Sequence, residues 1–164
     1  MQASVEQINV SRGGVPKLAV PDGKFHSLGV EGDGHANPQV HGGPRQAVLL
    51  ITAEGIEELA AAGFPVYPGA LGENLTTRGL DRKSVRAGQR YRVGAVWIEI
   101  TKVRGPCQTL SVYGPGIQQA VYDRDVKIGN PRSPRWGLSG FYASVTRPGL
   151  VRTGDPIVLL DQAV

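Results

Sequence analysis

Cysteine is almost missing from this sequence. Cys107 is the single one among 164 residues, which excludes an intrachain disulfide framework and predicts a reducing, cytoplasmic setting. Long apolar runs are missing too: no stretch approaches the roughly 20 residues that a transmembrane helix needs, so no membrane partner is expected. The start, Met1-Gln2-Ala3-Ser4-Val5-Glu6, has no basic segment leading into an apolar one and predicts no signal peptide. Charge of one sign is also scarce. The 18 Lys and Arg stand against 14 Asp and Glu for a net +4, without the long basic runs that bind nucleic acid. The mild excess at residues 78–92 and 124–135 fits a solvated arginine-biased surface, and no nucleic-acid partner is expected. It is equally compatible with a small anionic ligand, which needs only a few arginines in one pocket.

What is abundant is punctuation. Gly 23 and Pro 12, together about a fifth of the chain, lack a collagen-type period and argue for many short elements joined by tight turns. Strand-like runs outnumber helical ones. Residues 5–10 read as a first strand, and 47–51 (Ala-Val-Leu-Leu-Ile) as a strand buried on both faces. Thr52 then offers an N-cap, Glu54 suits the first turn, and Ile56, Leu59 and Ala60 share a helical face until Gly63 and Pro65 end it. Residues 89–93 and 96–103 are β-rich and separated by Gly94-Ala95, the pattern of a type II′ hairpin. Strands are further expected at 141–146 and 157–160, with a turn at Arg147-Pro148-Gly149, and a second helix at 116–125. The pattern Val-Arg-x-Gly-polar occurs twice, at 85–89 and 151–155, with the glycine supplying a left-handed turn. No linker divides the chain, so residues 1–164 are read as a single domain. The expected class is mainly β, a barrel-like fold with a few short peripheral helices.

Four glycine-containing segments carry polar residues without helix or strand periodicity. They are Gly29-Val30-Glu31-Gly32-Asp33, His41-Gly42-Gly43-Pro44, Gly72-Glu73-Asn74-Leu75-Thr76-Thr77 and Arg104-Gly105-Pro106-Cys107-Gln108. Such loops let backbone N–H groups approach a ligand closely, though each alone also fits an ordinary connecting turn. Cys107 admits two readings: a small buried hydrophobe, or a reactive thiol. Pro106 keeps Gly105 out of helical space, and Lys102 and Arg104 lie within five residues, where cations favour the thiolate that is both nucleophile and soft metal ligand. A Cys–His protease fits poorly, with His26, His35 and His41 all distant in sequence, and one cysteine with three histidines is a poor zinc set. Glu31, Asp33, His35 and His41 read better as a polar loop than as a metal cluster.

In this order and spacing, the segments resemble the MOSC family, named for the C-terminal domain of molybdenum-cofactor sulfurases. The resemblance runs from about residue 5 to 160, and Gly69-Ala70-Leu71 and Gly140-Phe141-Tyr142-Ala143 extend it. It is strongest to compact, stand-alone bacterial members, which implies a β-barrel-like fold and no pyridoxal-phosphate domain. The resemblance further implies that Cys107 matches the family's reactive cysteine, which in related proteins binds the molybdenum of a pterin cofactor or has been proposed to carry a persulfide. Some members reduce N-hydroxylated compounds with electrons from partner proteins. Three expectations follow: a molybdenum-dependent oxidoreductase with Cys107 as metal ligand, a sulfur carrier, or a cofactor-binding module without turnover. Cofactor contacts are expected at His41, Gly42, Gly43, Arg45, Asn74, Leu75, Arg104, Gln108 and Thr109, with Asp33 and Glu73 orienting the loops. An external reductase is expected as electron donor, since one cysteine cannot build an iron–sulfur cluster. The chain departs from compact relatives at Asn37, where they often have aspartate, at Arg45, where an acidic residue is common, and at Thr109, where lysine is frequent.

Overall fold

The run Val-Leu-Leu-Ile-Thr sets the centre of the molecule. In the computed structural model, which describes residues 2–34 and 43–161, these residues form a strand whose five positions are all buried. His35, Asn37, His41 and Gly42 lie outside the described residues. Along the chain the strands are β1 (Ser4–Val10), β2 (Leu18–Val20), β3 (Asp22–His26), β4 (Gly29–Val30), β5 (Val48–Thr52), β6 (Leu75–Arg78), β7 (Arg90–Val93), β8 (Val96–Val103), β9 (Phe141–Arg147), β10 (Gly149–Arg152) and β11 (Ile157–Asp161). The helices are α1 (Ala53–Ala61), α2 (Ile117–Val121) and α3 (Arg124–Lys127).

The larger sheet runs β11-β7-β8-β9-β5-β6-β1-β2, and a smaller one runs β10-β3-β4. All ladders are antiparallel except β5 with β6. A parallel pair needs a crossover, and α1 supplies it. Thr52 caps that helix, its Oγ1 accepting from Gly55 N–H at 3.1 Å. A bridge between Ser4 and Pro156 draws the start of β11 to β1 without a continuous ladder, so the sheet curls in a barrel-like way.

Side-chain alternation along β5 divides the core. Val48 and Leu50 point into the curl with Ile8, Phe25, Leu75, Ile98 and Phe141. Leu49 and Ile51 point outward against Ile56, Leu59, Leu110, Ile117 and Leu138. Each such side chain contributes roughly 1.5–3 kcal/mol on burial, so one central strand anchors two apolar layers. The expected hairpin is present: Arg90 to Val93 pairs with Val96 to Glu99, and Gly94 has φ 57 while no non-glycine residue among those described has a positive φ. Gly88 and Gly154 have φ 88 and 93, the left-handed turns expected from the repeated pattern.

Three expectations need correction. The helix expected at 116–125 is two short helices, because Tyr122 is extended and Asp123 starts a new one by accepting from Val126 N–H at 2.8 Å. The polar segments at 29–33 and 72–77 are not simply loops: they supply β4 and β6. Thr76 and Thr77 are wholly buried between β5 and β1, so hydrophobic periodicity is absent from a strand at the centre of the sheet. Residues 149–152, expected as turn and connection, form β10 on the smaller sheet.

Candidate functional site

β8 ends at Val103, and the next four residues, Arg104-Gly105-Pro106-Cys107, lead into a 3-10 turn over Gln108–Tyr113. Arg104 is clamped at its backbone: its N–H donates to Gly140 O at 2.9 Å, and its carbonyl accepts from Ser139 Oγ at 2.6 Å. Gly140 has φ 101, and a Cβ there would sit 2.8 Å from Ile51 Cγ1, so only glycine fits this clamp. The guanidinium is nearly inaccessible at 4% exposure. Its Nη1 donates to Leu71 O at 2.7 Å and, at 3.5 Å, to Ser139 O. Among the described residues no carboxylate lies within ion-pair distance of it.

Cys107 sits beside this cation, half-buried and unoxidised. Its Sγ lies 2.6 Å from Thr109 Oγ1. Burial alone would push the thiol up, but the Thr109 hydroxyl and backbone N–H, with the Arg104 guanidinium, outweigh it and hold Cys107 below the ordinary thiol range. This is the electropositive, partly exposed setting in which a thiolate persists. The Tyr142 hydroxyl shares Arg104; desolvation is the main cause that raises its pKa, with the Cys107 charge adding to it. Lys102 stands opposite Tyr142 across β8 and β9, its Nζ 5.7 Å from the ring centroid.

The segment that follows Leu71 is tied down by a network of polar side chains. Asn74 Oδ1 accepts from Leu49 N–H at 3.1 Å, and its Nδ2 donates to Asp33 Oδ2 at 2.9 Å and Asn9 O at 3.3 Å. Asp33 also accepts from Lys17 Nζ at 2.6 Å and Ser11 N–H at 2.9 Å. Glu73 is wholly buried; one carboxylate oxygen accepts from Gly69 N–H at 2.9 Å and Thr76 Oγ1 at 2.8 Å. Its other oxygen has no partner among the described residues. Burial pushes the Glu73 carboxyl up, with those donors and Arg104 offsetting part of the rise. Gly69 has φ 94, and a Cβ there would lie 2.3 Å from Lys17 O, so the loop depends on glycine.

Arg104, Cys107 and Thr109 thus lie together, while Gln108 is exposed at the start of the 3-10 turn. Arg45 is exposed on a 3-10 turn over Pro44–Gln46, tied to the same end of β8 by Thr101 Oγ1 donating to Arg45 O at 2.6 Å. Gly43 is exposed with φ 85 and has open space around it. Asn74 has no side-chain donor left over, and Leu75 is 0% exposed within the inner core, so both side chains are committed to the fold. Asp33 and Glu73 do hold the loops, as expected of orienting residues. The alternative metal cluster gains nothing: Glu31 is exposed, Asp33 is bonded to Lys17, and no group of three metal-ligating side chains occurs among the described residues. His35 and His41 lie outside those residues. Tyr142 and Ser139 are site neighbours that sequence reasoning missed; for Tyr142 the signal was its place in the Gly140-to-Ala143 segment.

The family model for the MOSC domain matches residues 37–158. The uncharacterised protein YflK of Bacillus subtilis (strain 168) is 33% identical over 135 residues, which is 80% of this chain and 56% of that protein. YiiM of Escherichia coli (strain K12) is 33% identical over 141 residues, 82% of this chain and 58% of that protein. The chain thus spans somewhat over half the length of these curated relatives. The crystal structure of YiiM from Geobacillus stearothermophilus superposes with a TM-score of 0.75 over 99% of this chain and 77% of that one, at 24% identity. That likeness shows a shared fold.

Proposed function

The chain belongs to the MOSC domain family, a molybdenum-cofactor-related family, and from that premise we propose that it is a molybdenum-cofactor-dependent reductase of N-hydroxylated compounds, with Cys107 as the metal's protein ligand. One observation carries the reading: the buried Arg104, with no carboxylate within ion-pair distance among the described residues, lies against a half-buried thiol held below its ordinary range. A buried cation is costly unless negative charge lies near it, so Arg104, which already acts on the Glu73 carboxyl, also stabilises negative charge at Cys107 and on whatever group binds there.

The residues fit the implied group. A thiolate is a soft donor, suited to a metal otherwise held by dithiolene sulfur. Arg104 and Arg45 offer guanidinium forks for the phosphate. A Cβ on Gly105 or Gly43 would meet nothing within 4 Å, so both leave room for a ligand to approach the backbone. When bound, the cofactor supplies two-electron chemistry at oxygen; conversion of R–NH–OH to R–NH2 takes two electrons and two protons and releases water, the electrons coming from an external protein donor. The chain's own residues do the rest. With Cys107 as thiolate, the Thr109 hydroxyl donates to its sulfur and orients it, Arg104 offsets its charge, and the Asn74–Asp33–Lys17 bracket ties down the neighbouring loops. The smaller alternatives are a persulfide carrier using the same thiolate and a carrier module without turnover.

The test is molybdenum and pterin content of wild type beside Cys107→Ala, both made in a cofactor-producing host. Metal in wild type, loss of it in Cys107→Ala, and turnover of an amidoxime with a competent donor are expected. A metal-free wild type whose Cys107 binds and releases labelled sulfur overturns this reading for the carrier of sulfur. A loaded protein inert toward every N-hydroxylated compound leaves the carrier module. Unchanged molybdenum in Cys107→Ala removes the thiol as a necessary ligand.

A further inference from the structure

Tyr142 has a cation on either side, and the two differ in kind. Arg104 is buried and fixed by Leu71 and Ser139. Lys102 is exposed, with no carboxylate within ion-pair distance among the described residues, and its Nζ lies over the Tyr142 ring at 5.7 Å. An immobile, preorganised guanidinium suits a resident group, whereas an ammonium on a flexible four-carbon stem suits a ligand that comes and goes.

The strand is built to put Lys102 there. The β8–β9 register is regular from Ile98 to Ile100, then shifts between Ile100 and Lys102, so one extra residue enters β8. Bulges re-aim a side chain next to functional sites. Here the shift sets Lys102 opposite Tyr142, whose hydroxyl shares Arg104 with Cys107. A cation–π contact at such an exposed place is weak, so the ammonium remains free to leave the ring for an anion.

We propose that Lys102 is a specificity-determining residue that selects substrates bearing an anionic substituent, a carboxylate or a phosphate, beside the N–OH group. The proposal rests on the reductase reading above for the N–OH group, but not for the preference in binding. Lys102 attracts the anionic end, and the N–OH end is left at the Cys107 side of Tyr142. Because the cation is exposed, the preference weakens with salt.

The experiment uses a matched pair, benzhydroxamic acid and its para-carboxy derivative, with wild type, Lys102→Glu and Lys127→Glu. The last carries the same charge change at an exposed position on α3. Calorimetric Kd is measured on each protein and KM on the molybdenum-loaded proteins. Wild type is expected to bind the carboxylated compound more tightly. Lys102→Glu should weaken its binding about five- to tenfold, with less than twofold change for the neutral one, as roughly one charge contact at intermediate screening predicts. Lys127→Glu should change neither, and the wild-type preference should shrink as salt is raised. Equal weakening of both compounds, no preference in wild type, an equal effect in Lys127→Glu, or loss of molybdenum in Lys102→Glu each overturns the proposal. If neither compound is turned over, the reductase reading fails while the Kd pair still decides Lys102.

Discussion

Two regions of the molecule invite comparison. One is the end of β8 around Cys107. The other is a cavity of about 600 Å³ lined by Leu80, Asp81, Ser84, Arg86, Gln89 and Tyr91 together with Ile157 and Leu159. That cavity has room for a ligand. Its polar groups are nevertheless satisfied internally. Asp81 accepts from Lys83 N–H and Ser84 Oγ, at 3.1 and 2.8 Å. Gln89 Oε1 accepts from Arg86 N–H at 2.8 Å and Tyr91 Oη at 2.9 Å. Arg86 Nη1 donates to Lys83 O and Val85 O, and its guanidinium stacks over Trp136 at 5.6 Å. Around Cys107 the balance is more open: among the described residues, neither the buried Arg104 nor the exposed Lys102 has a carboxylate within ion-pair distance, and one Glu73 oxygen has no donor. Space says where a ligand would fit; unmatched polarity says where one is wanted.

The largest expected effect belongs to the bracket beneath the site. Asn74→Ala leaves Leu49 N–H, Asn9 O and one Asp33 oxygen without this partner, and should cost about 3 kcal/mol or more in urea unfolding at neutral pH. A cost below about 1 kcal/mol would return Asn74 to the ligand contacts and blur the contrast.

A matched pair comes next in size. Arg86→Met removes two carbonyl contacts and the ring stack, and should cost about 1–2 kcal/mol of stability without touching Cys107. Arg104→Met should do the reverse. Removing a buried charge offsets the lost hydrogen bond, so stability changes little, while alkylation of Cys107 by iodoacetamide at pH 7 slows about tenfold in cofactor-free protein. Two variants with the same profile would mean that the regions do not differ as described.

Much of this was legible in the sequence, and the failures share a cause. β5 and α1 announced themselves because their burial is apolar and periodic: Thr52 is a textual N-cap and Leu49 and Leu50 face different layers. The Cys107 loop was legible because residue type alone marks a lone thiol near two basic residues. β6 was not, because its buried threonines are satisfied by neighbours that only the fold brings together: Thr76 bonds Glu73, and Asn9 reaches Thr76 at 3.1 Å across 67 positions. Asn74, expected among the cofactor contacts, likewise has hydrogen-bond partners in the fold that its place in the sequence does not show. A buried polar residue and a ligand-binding one have the same letters, and only their hydrogen-bond partners distinguish them. Tyr142 was hidden by the bulge at 100–102, since a register shift leaves no trace in alternation.

The smallest expected effect lies in the slope of stability against pH, and it sharpens the comparison at Glu73. Its folded pKa is raised above the ordinary 4.5, chiefly by burial. The folded state therefore binds the proton more tightly than the unfolded chain does. Stability from this group is complete below the unfolded value and declines as pH rises through the folded one, since ionising the buried carboxyl is what burial opposes. The Gly69 and Thr76 donors and Arg104 offset part of that cost, which keeps the effect modest. Glu73→Gln keeps a carbonyl oxygen for Gly69 and Thr76 and removes the ionisation. Urea midpoints taken from pH 4.5 upward should fall more steeply in wild type than in Glu73→Gln, and the two curves should diverge as pH increases. Parallel curves would mean that the partnerless Glu73 oxygen carries no penalty, and that the polarity beneath Arg104 is as well matched as that of the cavity beside Tyr91.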